Sequence, residues 1–483
     1  MKDKSLLEDI KAKIQNNESD FRYHVFVCGG SGCDSMLSRE VYDELCSELA
    51  RRKLEDEVNV VMTGCHGLCS HGPIMTIYPD GLTYARVLPI QVEEIVDEHF
   101  IHGRPVSRLL YTNTEFEGGD PQLKLLKDSA FMKLQNRKVL KNNGTVCPKS
   151  IDSYIQRDGY FALCKAVKEL TPEQVIEIIT ESGLRGRGGG SFPTGQKWDV
   201  AAKEVSDSKY IICNADEGDL GCYMDRAILE GNPHGVLEAM AIAAYAVHAD
   251  KGYIFIRPDY TVAVENLKEA IKQAREYGLL GEHILESELS FDVELRFGAG
   301  AYVSGEETAI ISGFDLSRSE PMPKQLYPAV SGLHSNPTVI NNVETFAYVP
   351  QIVLGSGKIK ADTKIFALGG AVQHTGLVEV PVGTTIHRLI NDIGGGAKPG
   401  RTLKAIVTGG ASGSFIPVEK WDLELDYDVF RENGFVLGGG GITVLDDESC
   451  IVNMTQNALR FSVKESCGKC SACRLGTAKM YEI

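Results

Sequence analysis

Four cysteines in two short loops constrain this chain more than any other feature. "CGGSGC" holds Cys28 and Cys33, and "CHGLC" holds Cys65 and Cys69. Each pair follows an apolar, β-branched run ("YHVFV" and "VNVVMT"), so each is predicted to sit in a loop at the end of a strand. Two such loops at the same edge of one sheet bring four thiolates to one point. Gly29, Gly30, Gly32, Gly64 and Gly67 let backbone N–H groups approach the sulfurs and tune a cluster held there. Structural zinc favours tighter spacings and a dithiol pair favours C-x-x-C. A [2Fe-2S] centre on Cys28, Cys33, Cys65 and Cys69 is therefore the leading reading, with zinc and a thiol redox pair as alternatives.

The surrounding pattern agrees. "DSMLSREVYDELCSELARRKL" is an amphipathic helix with Leu37, Val41, Leu45 and Leu49 on one face, Pro79-Asp80-Gly81 turns a hairpin, and "PIQVEEIVDEHF" closes the unit as a helix. Strand, helix, strand, hairpin, helix over residues 1–100 predicts a thioredoxin-like domain. The opening "MKDKSLLEDIKAKIQNNESDF" lacks the apolar core of a secretory signal, and Leu6, Leu7, Ile10 and Ile14 suit a short docking helix. Thirteen cysteines without an export signal point to metal ligands in a reducing cytoplasm rather than disulfides.

A net charge of −16 argues against nucleic acid and anionic membrane surfaces, so any phosphate needs a local site. The longest apolar stretch, "GVLEAMAIAAYAVHAD", is too short for a span and carries Glu238; it reads as a buried helix, with no direct membrane insertion. The chain of 483 residues is read as an α/β multidomain protein. Residues 101–149, where apolar periodicity is lost, are read as a linker. Residues 150–354 form an α/β domain whose first clear helix starts at a capping box, Thr171-Pro172-Glu173-Gln174. Residues 355–430 form a small β-rich domain, and residues 431–483 begin a helical unit.

Four stretches of the middle region carry cofactor chemistry. "GLRGRGGGSFPTGQKW" combines Gly186, Gly188, Gly189 and Gly190 with Arg185, Arg187 and Lys197, which suits a phosphate cradle; a flexible turn is the plainer alternative. "CNADEGDLGCYMDR" places Asn214, Asp216 and Glu217 at the end of an apolar strand, where such sheets hold ligand hydroxyls. In "GAGAYVSGEETAIISGF", Gly298, Gly300 and Gly305 leave room for a cofactor, and Glu306 and Glu307 open a helix, where acids also serve simply to oppose the dipole. "PTVINNVETFA" holds Thr338 and the pair Asn341–Asn342.

In this order the stretches resemble the NADH-binding flavoprotein subunit of respiratory complex I and its relatives in NAD-linked multimeric iron-only hydrogenases and formate dehydrogenases. The resemblance covers residues 130 to 483. It implies that the glycine loop, Lys197, Asn214, Asp216, Glu217, Gly300, Tyr302, Gly305, Thr338, Asn341 and Asn342 surround FMN. Phe192, Glu306 and Glu307 would then lie by the nicotinamide nucleotide, with no side chain acting as a catalytic base. The chain departs from the family pattern twice: Asp199-Val200 replace an aromatic expected shortly after Trp198, and Tyr327 stands for a Phe. Residues 355–430 would be a β-grasp domain. The cysteine domain resembles the separate thioredoxin-like [2Fe-2S] subunit, here fused, as in the hydrogenase and formate dehydrogenase relatives.

The closing "ESCGKCSACRLGTAKMYEI" carries Cys467, Cys470 and Cys473, which the resemblance gives to a [4Fe-4S] cluster. Thr477 occupies the place of a ferredoxin-type fourth cysteine, and Cys450 lies across the preceding helix. The fourth ligand is therefore expected beyond residue 483, with little order after Cys473; a zinc site or reactive thiol cluster is the alternative. The implied function is NADH oxidation (or NAD reduction) through FMN and iron–sulfur centres in a multimeric complex. The implied partners are a small [2Fe-2S] subunit, a hydrogenase or formate dehydrogenase subunit, and ferredoxin if electrons are bifurcated. The rivals are a relay or assembly subunit without nucleotide turnover, and a respiratory complex I subunit.

Overall fold

The computed structural model describes residues 7–13, 21–111, 126–314 and 318–483. In the first domain, β1 (Tyr23–Cys28), β2 (Val58–Thr63), β3 (Ile74–Tyr78) and β4 (Leu82–Ala85) form a sheet of order β2-β1-β3-β4. Strands β1 and β2 are parallel, with Cys28 opposite Thr63, so both cysteine loops leave the same edge, as the alternating pattern requires. Helix Ser38–Arg52 buries Val41, Leu45 and Leu49. Leu37 does not join that face: it precedes the helix in a left-handed conformation (φ 72°) and is 46% exposed.

The central domain holds a parallel sheet of β5 (Tyr210–Ala215), β6 (Lys251–Ile256), β7 (Asp292–Phe297) and β8 (Thr338–Asn342), in the order β7-β6-β5-β8. The chain steps outward from β5 to β7 and returns on the far side of β5. The ends of β5 and β8 are thus the switch point, where such sheets open a crevice. Helix Pro172–Glu181 begins with the expected box: Thr171 N–H donates to Gln174 Oε1 (2.8 Å) and Gln174 N–H to Thr171 Oγ1 (3.3 Å). Helix Pro233–Val247 is buried nearly all round, which explains its apolar run. The one carboxylate in it, Glu238, accepts from Tyr154 and from the N–H groups of Ala162 and Leu163. Among the described residues no helix is long and apolar enough to cross a membrane.

The third sheet contains β9 (Thr363–Gly370), β10 (Gly376–Pro381), β11 (Leu403–Thr408), β12 (Ser414–Pro417) and β13 (Gly441–Asp446), ordered β10-β9-β13-β11-β12. Two antiparallel hairpins flank β13, which runs parallel to β9, as in a β-grasp. The sheet therefore extends beyond residue 430, since β13 is its central strand. The helical unit consists of Ile451–Glu465 and Ser471–Glu482; residues after Cys473 are helical rather than unordered.

Residues 126–149, expected as linker, are packed. Phe131, Val139, Leu140 and Val146 are buried, and Glu379 accepts from the N–H groups of Val139 (3.0 Å) and Leu140 (2.9 Å). The segment wraps over several surfaces instead of presenting one face, so it shows no period. Residues 7–13 are helical and dock on the central domain, with Leu7 in its core; Leu6 and Ile14 lie outside the described residues.

Candidate functional site

The carboxyl ends of β5 and β8 open into two joined chambers of ≈ 730 and ≈ 460 Å³. Gly188, Asn214, Gly305, Glu306 and Asn342 border both. Asn214 Nδ2 donates to Gly305 O (2.8 Å), which ties the β5 loop to the loop after β7. Asp216 borders the larger chamber with its side chain 0% exposed and neither carboxylate oxygen hydrogen-bonded. Burial pushes its carboxyl up to about 6, against the pull of Arg257, whose Nη1 lies 3.9 Å from Oδ1. Gly298 makes this position possible, because a Cβ there would collide with Oδ2. A buried polar group without a partner is costly. Ligand hydroxyls in the chamber would relieve that cost, so the site fits a polyhydroxylated cofactor.

The smaller chamber is charged. Lys197 Nζ donates to Ile340 O (2.7 Å) and lies 2.8 Å from Glu307 Oε1. Lys324 Nζ lies 3.3 Å from Glu307 Oε2 and 3.5 Å from Glu306 Oε1. Burial alone would raise the Glu307 carboxyl, but the two lysines outweigh it and hold it below its ordinary value. Phe192, 49% exposed, stands at this chamber with Val200 and Tyr327. Gly186, Gly190, Thr338 and Asn341 also border it. The Thr338 hydroxyl is already used, donating to Asn336 O and accepting from Leu333 N–H. Asn341 accepts from Trp198 Nε1 (3.0 Å), and Asn342 caps helix Val343–Leu354.

Four expected residues are placed differently. Arg185 and Arg187 do not supply cations to the cleft. Arg185 forms a two-bond pair with Asp428 (2.6 and 3.2 Å). Arg187 borders the larger chamber with Gly189, but its guanidinium donates to Ala361 O (2.7 Å) and lies 5.4 Å from the Tyr348 ring centre. The glycine loop runs against the third domain, and its arginines find partners there first. The Glu217 carboxylate accepts from the N–H groups of Asp225 (3.2 Å) and Arg226 (3.1 Å), so it caps helix Met224–Gly231 although it borders the chamber. Gly300 borders an adjoining cleft of ≈ 580 Å³, which shares Val303, Glu465, Ser466 and Cys467 with the larger chamber. Glu306 also has a local task, accepting from the N–H groups of Thr308 and Ala309.

The larger chamber is closed by other units. Gly409, Ser412 and Gly438 come from the third domain, and Cys467, Cys470, Cys473 and Thr477 from the helical unit. Tyr302 borders it too, donating its N–H to Glu465 Oε2 (2.8 Å) and meeting Phe461 edge-on. Cys450 stands exposed at the opposite end of helix Ile451–Glu465.

The family described as Nuo51 FMN-binding domain matches residues 179–351. The NADH-ubiquinone oxidoreductase-F iron-sulfur binding region matches residues 453–483, and the thioredoxin-like [2Fe-2S] ferredoxin residues 14–99. The NADP-reducing hydrogenase subunit HndC of Solidesulfovibrio fructosivorans is 47% identical over 360 residues, 73% of each chain. The chain belongs to the complex I flavoprotein family. The F 2 subunit of the NADH-quinone oxidoreductase of Rhizobium meliloti (strain 1021) is 42% identical over 334 residues, covering 68% of this chain and 79% of the relative. An NAD+-reducing [NiFe]-hydrogenase in its H2-reduced state shares the fold, with a TM-score of 0.62 at 24% identity over 96% of this chain and 75% of that one.

This member of the flavoprotein family carries an FMN-binding domain, a thioredoxin-like [2Fe-2S] domain and a [4Fe-4S] region. Its N-terminal sulfurs suit two irons better than one zinc. Cys28 neighbours Cys33 and Cys65, and Cys65 neighbours Cys69. No three of the four sulfurs lie within 4.8 Å of one another, whereas a tetrahedral zinc gathers all its ligands about one centre. Gly67 N–H donates to Cys65 Sγ (3.3 Å).

One short helix separates this site from the cleft. Cys222, Met224 and Asp225 border the larger chamber, while Tyr223 donates its hydroxyl to Cys69 Sγ (3.8 Å) and Gly231 meets Gly64. Sequence reasoning missed Cys222, Tyr223, Lys324 and Ser191. Ser191 is buried at φ 54° with its hydroxyl unpartnered, and its place inside the glycine loop was the available signal.

Proposed function

We propose that this chain is the NADH-oxidising (or NAD-reducing) flavoprotein subunit of a multimeric hydrogenase- or formate dehydrogenase-type complex. The observation that carries this reading is the single cleft at the switch point, bordered by the central domain, the third domain and the three C-terminal cysteines. Bound there, FMN supplies two-electron exchange with a nicotinamide and one-electron exchange with iron–sulfur centres. Asp216 accepts hydrogen bonds from cofactor hydroxyls, and the glycine loop lets backbone lie close to the ligand. Lys197 and Lys324 set a positive field in the smaller chamber, balanced by Glu306 and Glu307, and Phe192 offers a ring at its mouth for stacking. Cys467, Cys470 and Cys473, at the border of the cleft, would serve as ligands of a [4Fe-4S] cluster, and Cys28, Cys33, Cys65 and Cys69, across helix Met224–Gly231, would hold a [2Fe-2S] centre. The protein supplies position and field; no side chain need take a proton.

The partners in this reading are a catalytic hydrogenase or formate dehydrogenase subunit, a small thioredoxin-like [2Fe-2S] subunit, and ferredoxin where electrons are bifurcated. Cysteines that all stand free of disulfides suit a complex in a reducing cytoplasm. Reconstituted with FMN, iron and sulfide, the chain is expected to reduce an artificial acceptor at the expense of NADH. A chain that binds FMN yet shows no nucleotide-dependent turnover would instead be a relay subunit.

A further inference from the structure

The thioredoxin-like domain is seated on helix Met224–Gly231 and on β10. Ser31 N–H donates to Glu230 Oε2 (3.0 Å), and Leu377 N–H donates to Gly67 O (2.8 Å). A Cβ on Gly64 would collide with Gly231 Cα, so the two backbones touch. This seam covers the sulfur end of the domain, and besides Glu230 two polar side chains from outside residues 14–99 reach the sulfurs' side of it. The Tyr223 hydroxyl donates to Cys69 Sγ (3.8 Å), with the Arg226 guanidinium 5.6 Å from its ring centre. Arg137, from the packed segment 126–149, has Nε and Nη2 shut off from solvent with no hydrogen-bond partner. Its charge is felt by Glu379 first, and also by Cys65 and His66 in the second cysteine loop.

We propose that docking sets the reduction potential of the [2Fe-2S] centre, with Tyr223 acting through Cys69 and Arg137 acting beside Cys65 as positioning residues that raise it. The proposal rests on the assignment of Cys28, Cys33, Cys65 and Cys69 to that centre. Reduction adds one electron to the cluster and makes or breaks no bond. The added charge spreads onto the sulfurs, so a hydroxyl donor and a buried cation stabilise the reduced form more than the oxidised one. The effect is strong where water is excluded, because the local dielectric is low. A buried guanidinium with two idle nitrogens is costly on its own. Glu379 already offsets part of that cost, and an anionic cluster on the other side would add to the counter-charge. Since coupling of binding equilibria is reciprocal, reduction should in turn tighten the seam.

The test is a potentiometric titration of the full chain followed by EPR, at a temperature where a two-iron centre gives a sharp signal. Tyr223→Phe removes only the hydroxyl, and Arg137→Gln removes only the charge. Each variant is expected to keep the wild-type signal shape but titrate at a more negative potential. A roughly tenfold fall in the reduced-to-oxidised ratio at fixed ambient potential corresponds to about 59 mV for one electron. Arg137→Lys should recover most of the lost potential, which a purely structural role would not predict. If Arg137→Gln fails to accumulate, Tyr223→Phe decides alone. Variants that titrate with the wild type would overturn the proposal and leave the cluster assignment standing. A wild-type chain that never shows a two-iron signal would overturn the assignment beneath it.

Discussion

Replacing Asp216 by Asn should stabilise the flavin-free chain increasingly as pH rises, while weakening its hold on FMN. The carboxyl is raised from its ordinary 3.8 to about 6, first by burial, with Arg257 opposing. Below 3.8 it is protonated in both folded and unfolded chains and costs nothing. Above 3.8 the unfolded chain releases its proton first, so the folded state loses stability as pH rises, and the loss is complete above 6. With about 1.4 kcal/mol per unit, the full cost is about 3 kcal/mol at pH 7.5, and about 1.6 kcal/mol has already been lost at pH 5. Burying the amide that replaces the carboxyl adds an offset independent of pH, so the pH-dependent part belongs to the carboxyl alone. The gap between Asp216→Asn and wild type should therefore widen by about 1.4 kcal/mol from pH 5 to pH 7.5. Hydrogen bonds to a charged acceptor exceed those to a neutral one by about 1 kcal/mol, so FMN should bind roughly fivefold more weakly to the variant. Urea unfolding of the flavin-free chain at the two pH values, with a flavin-fluorescence titration at pH 7.5, measures both. A gap independent of pH, or unchanged FMN affinity, would refute the picture of an idle buried carboxylate waiting for ligand hydroxyls.

Other perturbations test the rest of the site. Gly64→Ala forces a methyl into Gly231 and should loosen the first domain by about 1–3 kcal/mol, read as faster proteolysis between residues 101 and 149 with the central domain intact. Lys364→Met strands Glu344, its partner at 3.2 Å with both side chains 1% exposed, and should cost about 3–5 kcal/mol in urea unfolding. Lys324→Gln removes a cation facing Glu306 and Glu307 and should raise KM for NADPH about threefold or more above any change for NADH; equal changes would show no charge-based selection.

The cysteine loops, the strands that carry them and the capping box were legible because each depends on residues close in sequence. Asn214 was legible as a strand-end residue, and the parallel register then set it opposite Asn342 in one cleft. What escaped the sequence depends on distant neighbours. Arg187 reads as a phosphate cation until Ala361 and Tyr348 are seen to claim it. Glu217 reads as a ligand group until the helix after it supplies two N–H donors. The segment 126–149 has no period because it serves several surfaces at once, and Lys324 reaches Glu306 and Glu307 from a stretch without regular structure.

In the proposed function NADH and FMN meet in the cleft at the ends of β5 and β8. An anaerobic titration of the FMN-loaded chain with NADH, followed by the visible absorbance of the flavin, tests it most directly. The flavin band should bleach as NADH is added, and Asp216→Asn and Lys197→Gln chains should bleach less at the same NADH. A bound flavin that stays oxidised in excess NADH and NADPH alike would contradict it.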